Sequence, residues 1–290
     1  MKVLGIFEAL FKVLLTVVIL YAVDYGVAYV MLRAGYDFDI YEGVFAAVSG
    51  LLTILILYVF AKVEARICDK KEKKLLIKFN MIKPVELIYV LVIALALLGI
   101  VAIYLMITSV MAESVEPVST AVEEYSESMQ IYDLQTDYPK WDQLLYVIAI
   151  TCFIPIAEEF AFRGLIYGSV NRQLNGAWAI AISSVVFGIL HGLSIHIIYA
   201  LACGIILGVT YYAFNSIFAT IIIHAVFNFF GSAIYNLADL LGIDHNAIPS
   251  FYGLQFMAIL PAVLILVKMS RDRYLSGKNT GTEVVLDEQA

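Results

Sequence analysis

A handful of polar side chains sit in the otherwise apolar second half of this chain, and their spacing is helical. In the run IPIAEEFAFRG, Glu158 and Glu159 are adjacent, so on a helix they point in directions about 100° apart. Glu159 and Arg163 are four apart with the acid N-terminal, the favoured orientation for an intrahelical ion pair. Arg163 then holds Glu159 charged and fixed. Glu158 is left without a basic partner on its own helix, which suits a candidate general base. Pro155, just before the pair, has no N–H to donate, so it frees a carbonyl and permits a kink.

Two further motifs follow. FGILHG puts Phe187 one helical turn before His191, and HAVFN puts His224 and Asn228 on one helix face. A neutral imidazole and a carboxamide on one stripe can present donors to a developing oxyanion. Glu158, His191, His224 and Asn228 thus supply a base, a partner for it and oxyanion donors, spread over three helices. Each has a plainer reading alone: a membrane-helix histidine is usually an interhelical hydrogen-bonding group, and Glu159–Arg163 can be purely structural. In a chain this poor in buried charge, the combination points to hydrolysis. His196 and His245 lack partner spacing and read as ordinary residues; Asp24 reads as a structural hydrogen bonder in the first span.

The elements that must hold these groups are membrane helices. Of 290 residues, 62% are hydrophobic and only 15% charged, against about 25% charged in soluble domains. Spans of roughly 20 apolar residues are expected at 4–32, 43–63, 86–109, 143–165, 177–193, 197–214, 217–237 and 251–269, an all-α, polytopic bundle of about eight helices. The first run is too long for a signal-peptide core and reads as a true span. Cys68, Cys152 and Cys203 have no CxxC spacing and read as small apolar residues. Neither an internal repeat, a Gly-rich phosphate loop nor a nucleic-acid patch is evident.

Basic residues set the orientation. Arg66, Lys70, Lys71, Lys73, Lys74 and Lys78 follow the second span, Arg172 the fourth, and Arg271, Arg273 and Lys278 the last. The stretch 110–142 carries Glu113, Glu116, Glu123, Glu124, Glu127, Asp133, Asp137 and Asp142 against Lys140 alone. Both termini are therefore expected in the cytoplasm of a cell-membrane protein. Residues 1–142 read as N-terminal membrane helices with an acidic, weakly ordered outer loop, 143–237 as the catalytic core, and 238–290 as a last helix and flexible cytoplasmic tail. By count along the helices, Glu158, His224 and Asn228 fall near the midplane or in its cytoplasmic half, whereas His191 lands closer to the outer face.

Glu158-Glu159-x-x-x-Arg163, Phe187-x-x-x-His191 and His224-x-x-x-Asn228, with FRGLIYG after the glutamates, resemble the ordered motifs of the CPBP family, the Rce1-like CAAX prenyl endopeptidases and bacteriocin-processing intramembrane proteases. The resemblance covers roughly 143–235. It implies that Glu158 and His191 activate water for attack on a peptide carbonyl, that His224 and Asn228 stabilise the oxyanion, and that Glu159 and Arg163 support the site. It implies no cofactor, with zinc held by Glu158, His191 and His224 as the metallo-type alternative. The expected partners are the bilayer and a membrane-embedded or lipidated, CAAX-type peptide substrate, reached through a polar cavity enclosed by spans four to seven and open to the cytoplasm. A proton- or ion-coupled transporter and a non-catalytic scaffold or immunity protein are the alternatives.

Overall fold

A computed structural model describes residues 2–37, 40–68, 75–130, 139–192, 194–248 and 250–279. Lys70, Lys71, Lys73, Lys74, Asp133, Asp137 and the tail from 280 lie outside them. All of the named elements are helices: α1 (Lys2–Arg33), α2 (Glu42–Cys68), α3 (Pro84–Ala112), α4 (Glu116–Gln130), α5 (Lys140–Gln173), α6 (Gly176–Leu190), α7 (Ser194–Phe214), α8 (Ile217–Leu241) and α9 (Tyr252–Asn279). Seven of them, α1, α2, α3, α5, α7, α8 and α9, are long and apolar enough to cross a membrane; α6 is a shorter apolar helix. The chain is a multi-pass membrane protein.

The alternation of these helices gives the bundle a basic end and an acidic end. Arg66, Lys78, Lys83, Arg172, Arg271, Arg273 and Lys278 gather at one; Glu113, Glu116, Glu123, Glu124, Asp142, Asp239 and Asp244 gather at the other. The last helix returns to the basic end, where Arg273 donates to Asn215 Oδ1 at 3.1 Å.

The sequence reading foresaw little buried charge before residue 143 apart from Asp24, and the structure corrects this. Lys12 of α1 and Glu64 of α2 are buried, 2.9 Å apart, and Arg172 of α5 reaches Glu64 at 2.6 Å. A buried charge is tolerable only with such partners, so this cluster ties three helices at the basic end. Asp142 is likewise not part of a solvated acidic loop. It is buried and accepts the backbone N–H groups of Gly43 and Val44 at 2.8 and 2.9 Å, capping α2 from a distant part of the chain. The acidic stretch before it also contains an ordered helix, α4, whose Tyr125 packs against Tyr199 of α7.

The basic loop is not wholly a surface loop either. Residues 75–83 run as a strap into the bundle, with Leu76 and Ile77 buried. Tyr211 donates to Leu76 O at 3.3 Å and its oxygen accepts from Lys78 N at 2.9 Å; Ile217 N donates to Lys78 O at 2.8 Å. Gly164 of FRGLIYG faces the strap: a Cβ there would meet Ile77 Cγ1 at 2.7 Å.

Candidate active site

Helix α5 is not uniform. Two π-helical stretches, Ala149–Phe153 and Phe160–Ile166, flank the α-helical turns Ile154–Glu159. Pro155 contributes, since it cannot donate to the preceding turn. Such π segments leave carbonyls free and recur at functional sites. Ile150 O in the first segment accepts Asn228 Nδ2 at 3.0 Å. Asn228 therefore ties α8 to α5, just before α8 itself passes into a π segment, Phe229–Ala233.

The two adjacent glutamates are sorted by burial. The Glu159 side chain is 0% exposed and that of Glu158 is 25% exposed. Glu159 Oε1 lies 3.2 Å from Arg163 Nη1, as the spacing predicts, and 3.0 Å from His224 Nδ1. Arg163, also fully buried, donates to Gly204 O of α7 at 3.2 Å and lies over the Phe187 ring at 4.9 Å. Arg163 and Glu159 are thus the buried pair against which His224 is held.

His224 is held from both sides. With Glu159 ionised against Arg163, its carboxylate only accepts, so His224 Nδ1 carries the proton between them. The other nitrogen, Nε2, lies 3.4 Å from Glu158 Oε2. That contact is attractive when one further proton sits between the two atoms, on the imidazole or on the carboxyl.

His191 sits where α6 stops. The helix ends at Leu190, and Gly192, at φ +78°, reverses the chain into α7. His191 Nδ1 lies 2.7 Å from Phe187 O. A carbonyl only accepts, so Nδ1 donates, which satisfies one of the orphan carbonyls of the helix end and leaves Nε2 as the acceptor nitrogen. This explains the four-residue spacing of Phe187 and His191. The Phe187 ring lies 4.4 Å from that of His191 and 6.0 Å from that of His224.

The depth mismatch foreseen for His191 also has its reason here. Helix α6 has 15 residues, about 22 Å, against an apolar core of about 30 Å. It ends inside the bundle, and its C-terminus opens into a cavity of about 770 Å³ lined by Glu158, Phe187, His191, His224 and Asn228.

That cavity departs from the expected enclosure by spans four to seven. Helix α3 supplies one apolar wall, from Leu97 to Val110, and Ile248, Ser250, Phe251, Tyr252 and Gln255 supply another. The lining parts of α3, α5 and α8 are those nearer the acidic end. Three lining residues that sequence reasoning passed over, Tyr125, His196 and Tyr199, form an aromatic cluster above His191: the His196 ring is 4.8 Å from His191 and stacked at 4.6 Å on Tyr199. The three-residue spacing of His196 and Tyr199 was the only sequence signal for it.

Glu158 and His224 are near enough to share an ion, and His191 faces the same cavity. Among the described residues, however, no three His, Cys, Asp or Glu side chains converge on a common metal position. The arrangement does not fit a three-ligand zinc site, and no step below passes through a metal.

Residues 140–230 match the family described as type II CAAX prenyl endopeptidase Rce1-like. Of the curated relatives, "Putative membrane peptidase YdiL" of Bacillus subtilis (strain 168) is 34% identical over 86 residues, 30% of this chain and 35% of that protein. UPF0177 protein YxdF of Lactococcus lactis subsp. lactis (strain IL1403) is 33% identical over 95 residues, 32% of this chain and 51% of that protein. The chain thus spans about a third to a half of the lengths of these relatives. No solved structure matches it.

Proposed function

Residues 140–230 are Rce1-like, and on that premise we propose that this protein is an intramembrane endopeptidase in which Glu158 is the general base. The observation that carries this reading is the pair of unlike glutamates. Glu159 is buried, with Oε1 held between Arg163 and His224, while Glu158 faces the cavity with an imidazole nitrogen at 3.4 Å.

In the proposed reaction a water in the cavity is held by Glu158 and by the acceptor nitrogen of His191. Its oxygen attacks the peptide carbonyl carbon as Glu158 takes its proton. The carbonyl electrons move onto oxygen, and the resulting oxyanion is met by the Nε2–H of His224 and by the second amide hydrogen of Asn228, the first being engaged with Ile150 O. The intermediate collapses as the C–N bond breaks, and the proton held by Glu158 passes to the leaving amine. Arg163 and Glu159 are positioning residues. The substrate is a membrane-embedded or lipidated peptide whose apolar part lies against the α3 wall.

Purified protein incubated in ¹⁸O-water with prenylated and unprenylated membrane peptides tests the reaction class. Hydrolysis places one ¹⁸O in the new C-terminal carboxylate of a fragment, read by mass spectrometry. A peptide set left intact, together with proton-coupled uptake into vesicles, would instead favour a transporter.

A further inference from the structure

The cavity has a floor and a mouth, and they lie at opposite ends of the bundle. On the basic side of Glu158 and His224, Glu159, Arg163, Leu165 and Ile217 are fully buried, and the strap residue Ile77 presses on Gly164. On that side the described lining reaches no further than Cys203 and Leu207 of α7. In the other direction the lining continues along α3 to Val110, along α8 to Tyr235 and through Ile248, Ser250, Phe251, Tyr252 and Gln255, with Tyr125 of α4 beside it. From His224 to Leu241 at the end of α8 is about 25 Å along the helix, so the catalytic groups lie at the bottom of a deep funnel.

The ends differ in charge as strongly as they differ in access. Arg66, Lys78, Lys83, Arg172, Arg271, Arg273 and Lys278 lie at the floor end, whereas Arg33 and Lys140 are the basic residues described at the mouth end. Short loops rich in Lys and Arg stay in the cytoplasm. The floor therefore faces the cytoplasm, with the chain entering and leaving the bundle on that side.

We propose that the cavity is entered from the extracytoplasmic face, so that the scissile bond belongs to the outer juxtamembrane end of a membrane-anchored polypeptide. This rests on the peptidase reading and replaces the cytoplasm-facing cavity expected from sequence. A prenylated tail at the inner surface would meet the sealed floor, and its peptide bonds would have to cross most of the bilayer to reach Glu158.

Sidedness can be read without catalysis. In a background of Cys68→Ala, Cys152→Ala and Cys203→Ala, single cysteines are introduced as Ser232→Cys, exposed in the cavity one helical turn beyond Asn228, and Lys83→Cys, exposed at the floor end. Intact cells are treated with a charged, membrane-impermeant maleimide. Ser232→Cys is expected to label at least tenfold faster than Lys83→Cys, and permeabilisation to remove the difference. Labelling of Ser232→Cys that requires permeabilisation, or that is absent in both conditions, overturns the proposal.

The second arm tests the substrate class. Any peptide the wild type cleaves is fused to the outer or the inner end of a single-span anchor and expressed with the enzyme. Cleavage of the outer fusion alone is expected, and cleavage of the inner fusion overturns the proposal. Peptides that all survive, alongside the expected labelling, would count against the peptidase reading and not against the sidedness.

Discussion

Glu158 and Glu159 are chain neighbours in opposite surroundings, and the difference comes from what each one faces. Glu159 is enclosed with Arg163 and His224, so its charge is matched inside the bundle. Removing one partner of a buried ion pair strands the other charge, at a cost of about 3–5 kcal/mol. Arg163→Ala is therefore expected to lower the apparent melting temperature in detergent by many degrees and to abolish activity with it. Arg163→Lys should recover only part of that stability, because an ammonium cannot reproduce the planar stacking on Phe187. An unchanged melting temperature in Arg163→Ala would remove the framework role assigned to the pair. Glu158→Gln, by contrast, should leave thermal stability close to wild type, because that side chain is partly exposed to the cavity.

At the scale of elements, the strap and the remote cap make separate predictions. Gly164→Val would drive two methyl groups into Ile77, and overpacking of this kind costs about 1–3 kcal/mol. Ile77→Ala in the same molecule makes room, so the double variant should be more stable than Gly164→Val alone; additive losses would contradict the contact. Asp142→Ala frees the N-terminal donors of α2 and is expected to cost roughly 0.5–2 kcal/mol, measured by the same thermal unfolding, with Asp142→Asn milder. No loss in Asp142→Ala would refute the capping role.

The sequence made some of this legible and hid the rest for physical reasons. The Glu159–Arg163 pair and the shared face of His224 and Asn228 follow from 3.6-residue periodicity alone. The spacing of Phe187 and His191 was visible, yet its cause was not, because the run 177–193 looks apolar enough to span and Gly192 alone marks the stop of α6 at Leu190. Asp142 and the Lys12–Glu64–Arg172 cluster depend on contacts between distant segments. Counting charges per loop cannot reveal those. Leu75–Ile82 is mostly apolar but short and interrupted by Lys78 and Asn80, so it was absorbed into a basic loop. Tyr125 sits in an acidic amphipathic stretch whose composition gives no hint of the cavity it meets.

At the scale of the whole molecule, the bundle sets a few polar groups in apolar surroundings, beside a cavity whose lining lies mostly toward the acidic end. The short helix α6 matters here, because its end at Leu190 leaves His191 lining the same cavity as Glu158. The strap from the N-terminal half closes the other side, so helices outside the Rce1-like segment are part of the site's enclosure and not only its anchor. Every step assigned to this architecture converges on one carboxylate. The most direct test compares purified wild type with Glu158→Gln on the same panel of membrane peptides, with fragments quantified by mass spectrometry and folding checked by thermal unfolding. The account predicts cleavage by wild type and a loss of about 10²-fold or more in the equally stable variant. Equal cleavage by the two proteins would contradict it.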